Sequence, residues 1–277
     1  MTFTVLGASG YIGSCLVRHL RHGGDDCFAP FRDDDSVFDR PLGHVVYCIG
    51  LTADYQLRPL DTVEAHVGVL AQLLRRARFD SLLYLSSTRL YDSRAGSAAD
   101  APCREDDDLT LNPRNPRHLF DLSKATGEAL CLGAGETVRV ARLACVYGGA
   151  LERDNFLHGV LRQAIGRRTL RLATSPDMAR DYIHMDDVAG LLRAIATRGR
   201  HRIYNVASGA NVRNRELLTA IGRATGCAIT ATQEGGSAAP RIGVERIAAE
   251  FDICPRPVLD AIPGLVAACA APAAAAS

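Results

Sequence analysis

"TFTVLGASGYIGSCLVRHL", residues 2–20, is the stretch whose reading decides the fold. "FTVLGAS" reads as a strand entering a turn. "YIGSCLVRHLRHGG", residues 11–24, carries apolar residues at helical spacing and ends at Gly23-Gly24. Glycines 7, 10 and 13 stand at the junction. Each has a physical use there. Gly7 permits a tight turn, Gly10 lets a pyrophosphate approach the backbone, and Gly13 lets helix and strand pack closely. The helix N-terminus then offers free N–H groups to an anion. The spacing is G-x-x-G-x-x-G rather than G-x-G-x-x-G. Residues Gly7, Ser9, Gly10, Tyr11, Ile12 and Gly13 are therefore candidate cofactor-binding positions.

Downstream, short apolar strands alternate with helical patterns. "DCFAPFR" (26–32), "HVVYCIG" (44–50), "SLLYLSS" (81–87) and "TVRVARLACVYG" (137–148) read as strands. "TVEAHVGVLAQLLRRAR" (62–78) and "SKATGEALCL" (123–132) read as helices. Nearly all-apolar strands separated by helices predict a parallel sheet covered on both faces, the α/β, Rossmann-type doubly wound order. Cys48, Ile49 and Gly50 end the strand before the first long helix and join the cofactor candidates. After residue 150 the pattern becomes helical and less regular, ending in "PRIGVERIAAEFDICPRP" (240–257), read as a terminal helix closed by prolines. The expected division is a dinucleotide-binding unit over 1–150, with strand and helix returns from 181–210. A smaller substrate lobe follows over 151–270, then a frayed tail over 271–277.

The bulk numbers exclude other classes. The chain has 277 residues, 47% hydrophobic, with a net charge of +1. That charge makes no electrostatic case for nucleic acid or an anionic membrane. The nine cysteines are scattered and contain no C-x-x-C pair, which argues against a disulfide framework and against a metal cluster. The N-terminus enters a strand at once, and no apolar run is long enough for a bilayer. The expectation is a cytoplasmic protein.

The end of the second strand bears on which dinucleotide would bind. Phe31 stands about where an acid would hold the ribose hydroxyls of NAD, and Arg32 follows it. An arginine there suits a 2′-phosphate, although Asp33, Asp34 and Asp35 would repel one. The expected cofactor is NADP or NAD, with a slight preference for NADP.

Four stretches in order, "GASGYIG" (7–13), "LYLSSTRLYD" (83–92), "FDLSKATGE" (120–128) and "ARDYIHMDDVA" (179–189), resemble the NAD-dependent epimerase/dehydratase group of extended short-chain dehydrogenase/reductases. "YNVASGANVRNRELL" extends the match to residue 218. The resemblance implies a nucleoside-diphosphate sugar as substrate and hydride transfer at a sugar carbon. It implies that Ser87 hydrogen-bonds the reacting sugar oxygen and that Lys124 binds the nicotinamide ribose. It further implies that Arg180 and Arg241 contact the diphosphate, and that Asn155 and Phe156 open the helix over the nucleotide. Tyr91, Tyr147 and Tyr182 fall where the family keeps packing aromatics. Family members often dimerise through the helices that here contain residues 59–78 and 114–131, so a homodimer is expected.

The pattern breaks in "HLFDLSK", residues 118–124. Phe120 takes the catalytic place of the family's tyrosine, four residues before Lys124. A phenyl ring has no proton to transfer. Candidates for moving it are Asp121, then Ser87, then His118. Asp121 lies three residues before Lys124, where an (i, i+3) ion pair is the plainer expectation. Cys145 replaces a substrate-binding asparagine, and His66 a structural one. The short loop after the second strand is expected to trim the usual third strand. Two readings stay open: an enzyme with atypical acid/base chemistry, and a cofactor- or nucleotide-sugar-binding pseudoenzyme with a regulatory role.

Overall fold

The computed structural model describes residues 1–94, 101–148, 155–236 and 238–270. The central sheet has six strands: β1 (Thr2–Leu6), β2 (Asp26–Phe28), β3 (His44–Tyr47), β4 (Ser81–Ser87), β5 (Val138–Leu143) and β9 (Ile203–Val206). Their order is β2-β1-β3-β4-β5-β9, and every pairing is parallel. The order reverses direction between β1 and β3, which is the topological switch point where such sheets bind ligands. Among the described residues no strand lies outside β2, in keeping with the short loop that follows it.

Alternation along the strands explains the two faces. Phe3, Val5, Val46, Leu83, Leu85, Ala141 and Leu143 point to one face. There they pack on α1 (Tyr11–His22) and α6 (Met185–Arg198). Leu6, Val45, Tyr47, Leu82, Tyr84, Val138 and Val140 point to the other. That face is covered by α3 (Val69–Arg76) and α4 (His118–Gly133). A sheet buried on both sides needs apolar residues at nearly every strand position, hence the continuous runs in the sequence.

Two local features set the site. The first long helix is interrupted: α2 (Pro59–Val63) and α3 are joined by a π turn over Glu64–Gly68, which carries the buried His66. The second is Gly127 in α4. A Cβ there would stand 2.5 Å from the Tyr84 hydroxyl, so glycine is what allows α4 to lie close against β4.

The remaining elements form a smaller lobe. β6 (Cys145–Tyr147), β8 (Ala179–His184) and β10 (Asn211–Arg213) make a three-stranded sheet. β7 (Thr169–Leu172) pairs with β11 (Ala228–Ala231). α5 (Phe156–Ala164), α7 (Asn214–Thr225) and α9 (Val258–Ala270) bury a separate apolar cluster that includes Leu157, Leu161, Leu217, Ile221 and Ile262. α8 (Glu245–Phe251) lies beside β9 and α6. No helix among the described residues is long and apolar enough to cross a membrane.

Three sequence expectations are corrected. The second strand stops at Phe28, because Pro30 has no N–H for the ladder. Residues 138–147 are two strands in different sheets, divided at Ala144. The helix at 245–251 is not terminal: the prolines at 255 and 257 separate it from a further helix, α9, over 258–270. Residues 271–277 lie outside the described residues.

Candidate active site

At Gly7 and Gly13 the turn has the tight backbone and close packing that the spacing predicts. Gly7 has φ +83°, a left-handed value, and a Cβ on it would meet the Cys48 and Ile49 backbone at 2.9 Å. A Cβ on Gly13 would stand 2.3 Å from the Gly7 carbonyl. Gly10 precedes α1, with no side chain capping the helix. The helix N-terminus therefore opens onto the switch point with its donors uncommitted to a cap.

A cleft of about 670 Å³ begins at this turn and runs between the sheet's C-terminal edge and the smaller lobe. Gly10, Tyr11, Ile12, Cys48, Ile49 and Gly50 line its first part. Gly7, Ser9 and Gly13 shape the turn behind them. Ser87, Phe120 and Lys124 line the middle, with Cys145, Asn155, Phe156 and Arg180 beyond. Thus residues far apart in sequence meet in one cavity, because parallel strands all deliver their C-terminal ends to the same edge. Arg32 and Arg241 are exposed, and neither lines the cleft, although Pro240 and Ile242 do.

Lys124 is 6% exposed and donates to the Leu85 carbonyl at 2.7 Å, with its ammonium 4.7 Å from the Tyr84 ring centroid. Burial pulls its pKa down to about 7, with Glu128 opposing. Glu128 is itself committed to Arg142 by a buried bidentate pair, with contacts of 2.7–3.2 Å. Among the described residues, Lys124 therefore makes no ion pair of its own.

Phe120 lines the cleft yet is only 2% exposed. Three side chains cover it. His66 meets the ring edge-on with centroids 5.3 Å apart, Tyr55 lies at 5.6 Å, and the Arg89 guanidinium sits over the ring at 4.4 Å. His66 is held by Ser123 at 2.7 Å and by the Leu51 N–H at 3.3 Å. Burial and the nearby Lys124 lower its pKa to about 3, so it is a neutral packing and hydrogen-bonding group.

The expected Asp121–Lys124 pair does not form. Lys124 turns to the β4 backbone, while Asp121 faces Arg89 at 4.0 Å. Asp121 is buried and does not line the cleft. Burial raises its pKa, with Arg89 opposing. Its Oδ1 has no hydrogen-bond partner, and neither do Ser86 Oγ and Asn211 Oδ1. Ser86 and Asn211 both belong to cleft-lining residues.

His118 is engaged off the site by Asn112 and Ser93. Ser87 Oγ accepts from the Arg89 backbone N–H at 3.2 Å. Arg180 pairs with Asp92 at 2.7 Å, and Arg117 approaches the same carboxylate at 4.0 Å. Cys145 opens to the cleft on one side and is ringed by protein elsewhere. Burial pushes its thiol up to about 11, so it is protonated. Asn155 caps α5 by accepting from the His158 N–H at 2.8 Å, leaving Phe156 41% exposed at the cleft. Tyr91, Tyr147 and Tyr182 are buried, as packing aromatics would be.

Sequence reasoning missed Arg89, Asp92 and Tyr55. The signal was available for the first two: charged residues at two and five positions past Ser87, inside a motif read only for its serine. Tyr55 gave none, since its place depends on how the segment before α2 folds over α4.

A sequence model of the NAD dependent epimerase/dehydratase family matches residues 3–207. The dTDP-glucose 4,6-dehydratase of Streptomyces griseus is 30% identical over 125 residues, 43% of this chain and 37% of that protein. A dTDP-4-dehydro-6-deoxy-D-allose reductase of a Streptomyces species is 23% identical over 306 residues, covering 93% of this chain and 92% of the relative. Among solved structures, RMD from Pseudomonas aeruginosa complexed with NADPH superposes with a TM-score of 0.78 at 22% identity, covering 97% of this chain and 99% of that one. The glycine turn at the switch point, the cleft it opens and a family match over most of the chain agree: this protein belongs to the NAD dependent epimerase/dehydratase family.

Proposed function

We propose that this protein is an NAD(P)-dependent oxidoreductase or isomerase acting on a nucleoside-diphosphate sugar, with hydride transfer at a sugar carbon and no tyrosine acid/base. The observation that carries this reading is the single cleft lined at one end by the uncapped helix N-terminus and in the middle by Ser87, Phe120 and Lys124. The residues fit a dinucleotide. Gly10–Ile12 offer backbone donors to a pyrophosphate, and Cys48–Gly50 form the facing edge. A bound nicotinamide would supply the hydride chemistry. Lys124 is the group for its ribose. Ser87 is the group for the sugar oxygen. Arg180, Asn155 and Phe156 are those for the nucleotide end. Asp92 holds Arg180 ready as a fork for phosphate oxygens.

Without a phenol, the gain from general acid/base catalysis, roughly 10²–10⁴-fold, is missing from Phe120, while positioning and binding remain. Arg32 is exposed past the end of β2 and does not line the cleft. A homodimer through α2–α3 and α4 belongs to this reading; Leu60 and Val63 of α2 are 83% and 41% exposed. A second reading is a binding protein that has ceased catalysis. It is favoured by one observation: the residue in the acid/base position is apolar and covered on three sides.

The test is to denature purified protein and identify the released small molecules by mass spectrometry. A nicotinamide dinucleotide with a nucleotide sugar supports the enzyme. A dinucleotide alone, with no nucleotide sugar taken up on later titration, supports the binding protein.

A further inference from the structure

Arg89 lies over the Phe120 ring at the wall of the cleft. The guanidinium lies 4.4 Å from the Phe120 centroid and 5.2 Å from that of Tyr55. Two aromatic faces thus fix the plane of the fork. Its partners are few. Nη2 donates to the Tyr55 hydroxyl at a long 3.4 Å, and Nε lies 4.0 Å from Asp121, beyond hydrogen-bond reach. Most of its five N–H donors are therefore unspent, and Arg89 lines the cleft two residues from Ser87.

The charges around it leave it in surplus. Asp92 is engaged by Arg180 and approached by Arg117. Asp121 sits behind Arg89, with burial opposing its ionisation. A fixed, under-bonded guanidinium at the sugar end of a cleft suits a planar carboxylate, which it can bind through two parallel N–H···O bonds.

We propose that Arg89 is a specificity-determining residue that selects a nucleoside-diphosphate sugar carrying a carboxylate on its hexose ring over the neutral hexose. This rests on the nucleotide-sugar reading. Phe120 contributes by presenting an apolar face for the guanidinium to stack on.

The test is calorimetric titration of protein saturated with NAD or NADP. The probes are the UDP and dTDP forms of glucuronate and of glucose. The wild-type protein should bind the glucuronate form about 10- to 100-fold more tightly, the range expected for one bidentate charged pair. Arg89→Gln should bring the two sugars to parity, and Arg89→Lys should keep only part of the preference, because an ammonium has charge but no fork. Dinucleotide affinity, unchanged in both variants, shows that the fold is intact. Parity in the wild-type protein overturns the inference without needing a variant, as does a preference that survives Arg89→Gln. If the dinucleotide binds but no sugar form does, the nucleotide-sugar reading falls and takes this inference with it.

Discussion

Replacing Lys124 by methionine should stabilise the protein at pH 6 while weakening its hold on a dinucleotide. The magnitude follows from burial. The lysine pKa falls from 10.5 to about 7 in the folded chain. One pKa unit corresponds to about 1.36 kcal/mol, so the buried ammonium costs about 5 kcal/mol below pH 7. The sign is definite. Between about pH 7 and 10.5 the unfolded chain binds more protons than the folded one, so stability rises with pH across that window. Below it the full penalty applies, and above it none. Methionine removes the penalty and keeps an apolar stem. It also loses the 2.7 Å bond to the Leu85 carbonyl and leaves that buried oxygen one donor short, at a cost of about 1–3 kcal/mol. The net gain at pH 6 is about 2–4 kcal/mol, or a melting-point rise of roughly 5–10 °C for a chain of this size. The gain should vanish by pH 10. The assay is thermal unfolding of both proteins from pH 6 to 10 without added dinucleotide, since a bound ligand would stabilise the native state unequally. A Lys124→Met protein that melts lower at pH 6, or a difference independent of pH, refutes the reasoning. Dinucleotide affinity measured on the same samples should fall. Equal affinity would remove Lys124 from the cofactor site.

Phe120→Tyr returns a phenol four residues before Lys124, and turnover on a nucleotide sugar should rise by roughly 10²–10⁴-fold. Unchanged turnover with intact dinucleotide binding counts against the proposed geometry. Gly13→Ala drives a methyl to 2.3 Å from the Gly7 carbonyl. It should cost at least about 2 kcal/mol in urea unfolding and weaken dinucleotide binding; a neutral result would mean that the turn yields where close packing says it cannot. Glu128→Ala strips the partner from a buried Arg142 whose side chain is 4% exposed. About 3–5 kcal/mol of stability should be lost, and a loss below about 1 kcal/mol would place that pair in water rather than in the core.

What the sequence determined by itself is local or periodic. Glycines at 7, 10 and 13 between a strand and a helix are enough for a phosphate-type turn, because backbone sterics at a tight turn depend on neighbours in the chain. Continuous apolar strands are enough for a parallel sheet covered on both faces. Ser87, Lys124 and Arg180 could be read because their motifs sit at the ends of such strands or on the helix beside them. The tertiary structure alone decided who faces whom. Asp121 and Lys124 are close in sequence, yet they part, because Lys124 finds the β4 carbonyl edge and Asp121 is drawn to Arg89 behind the cleft wall. Tyr55, His66 and Arg89 come from two separate segments to cover Phe120, and no spacing within one segment encodes that meeting. Arg241 stands between the lining residues Pro240 and Ile242 without lining the cleft itself, and Arg32 belongs to a segment that does not line it, since which loop residues reach a cavity depends on packing rather than on order in the chain. Motifs determine which groups reach the sheet's C-terminal edge. The packing of helices over that edge determines which of them touch.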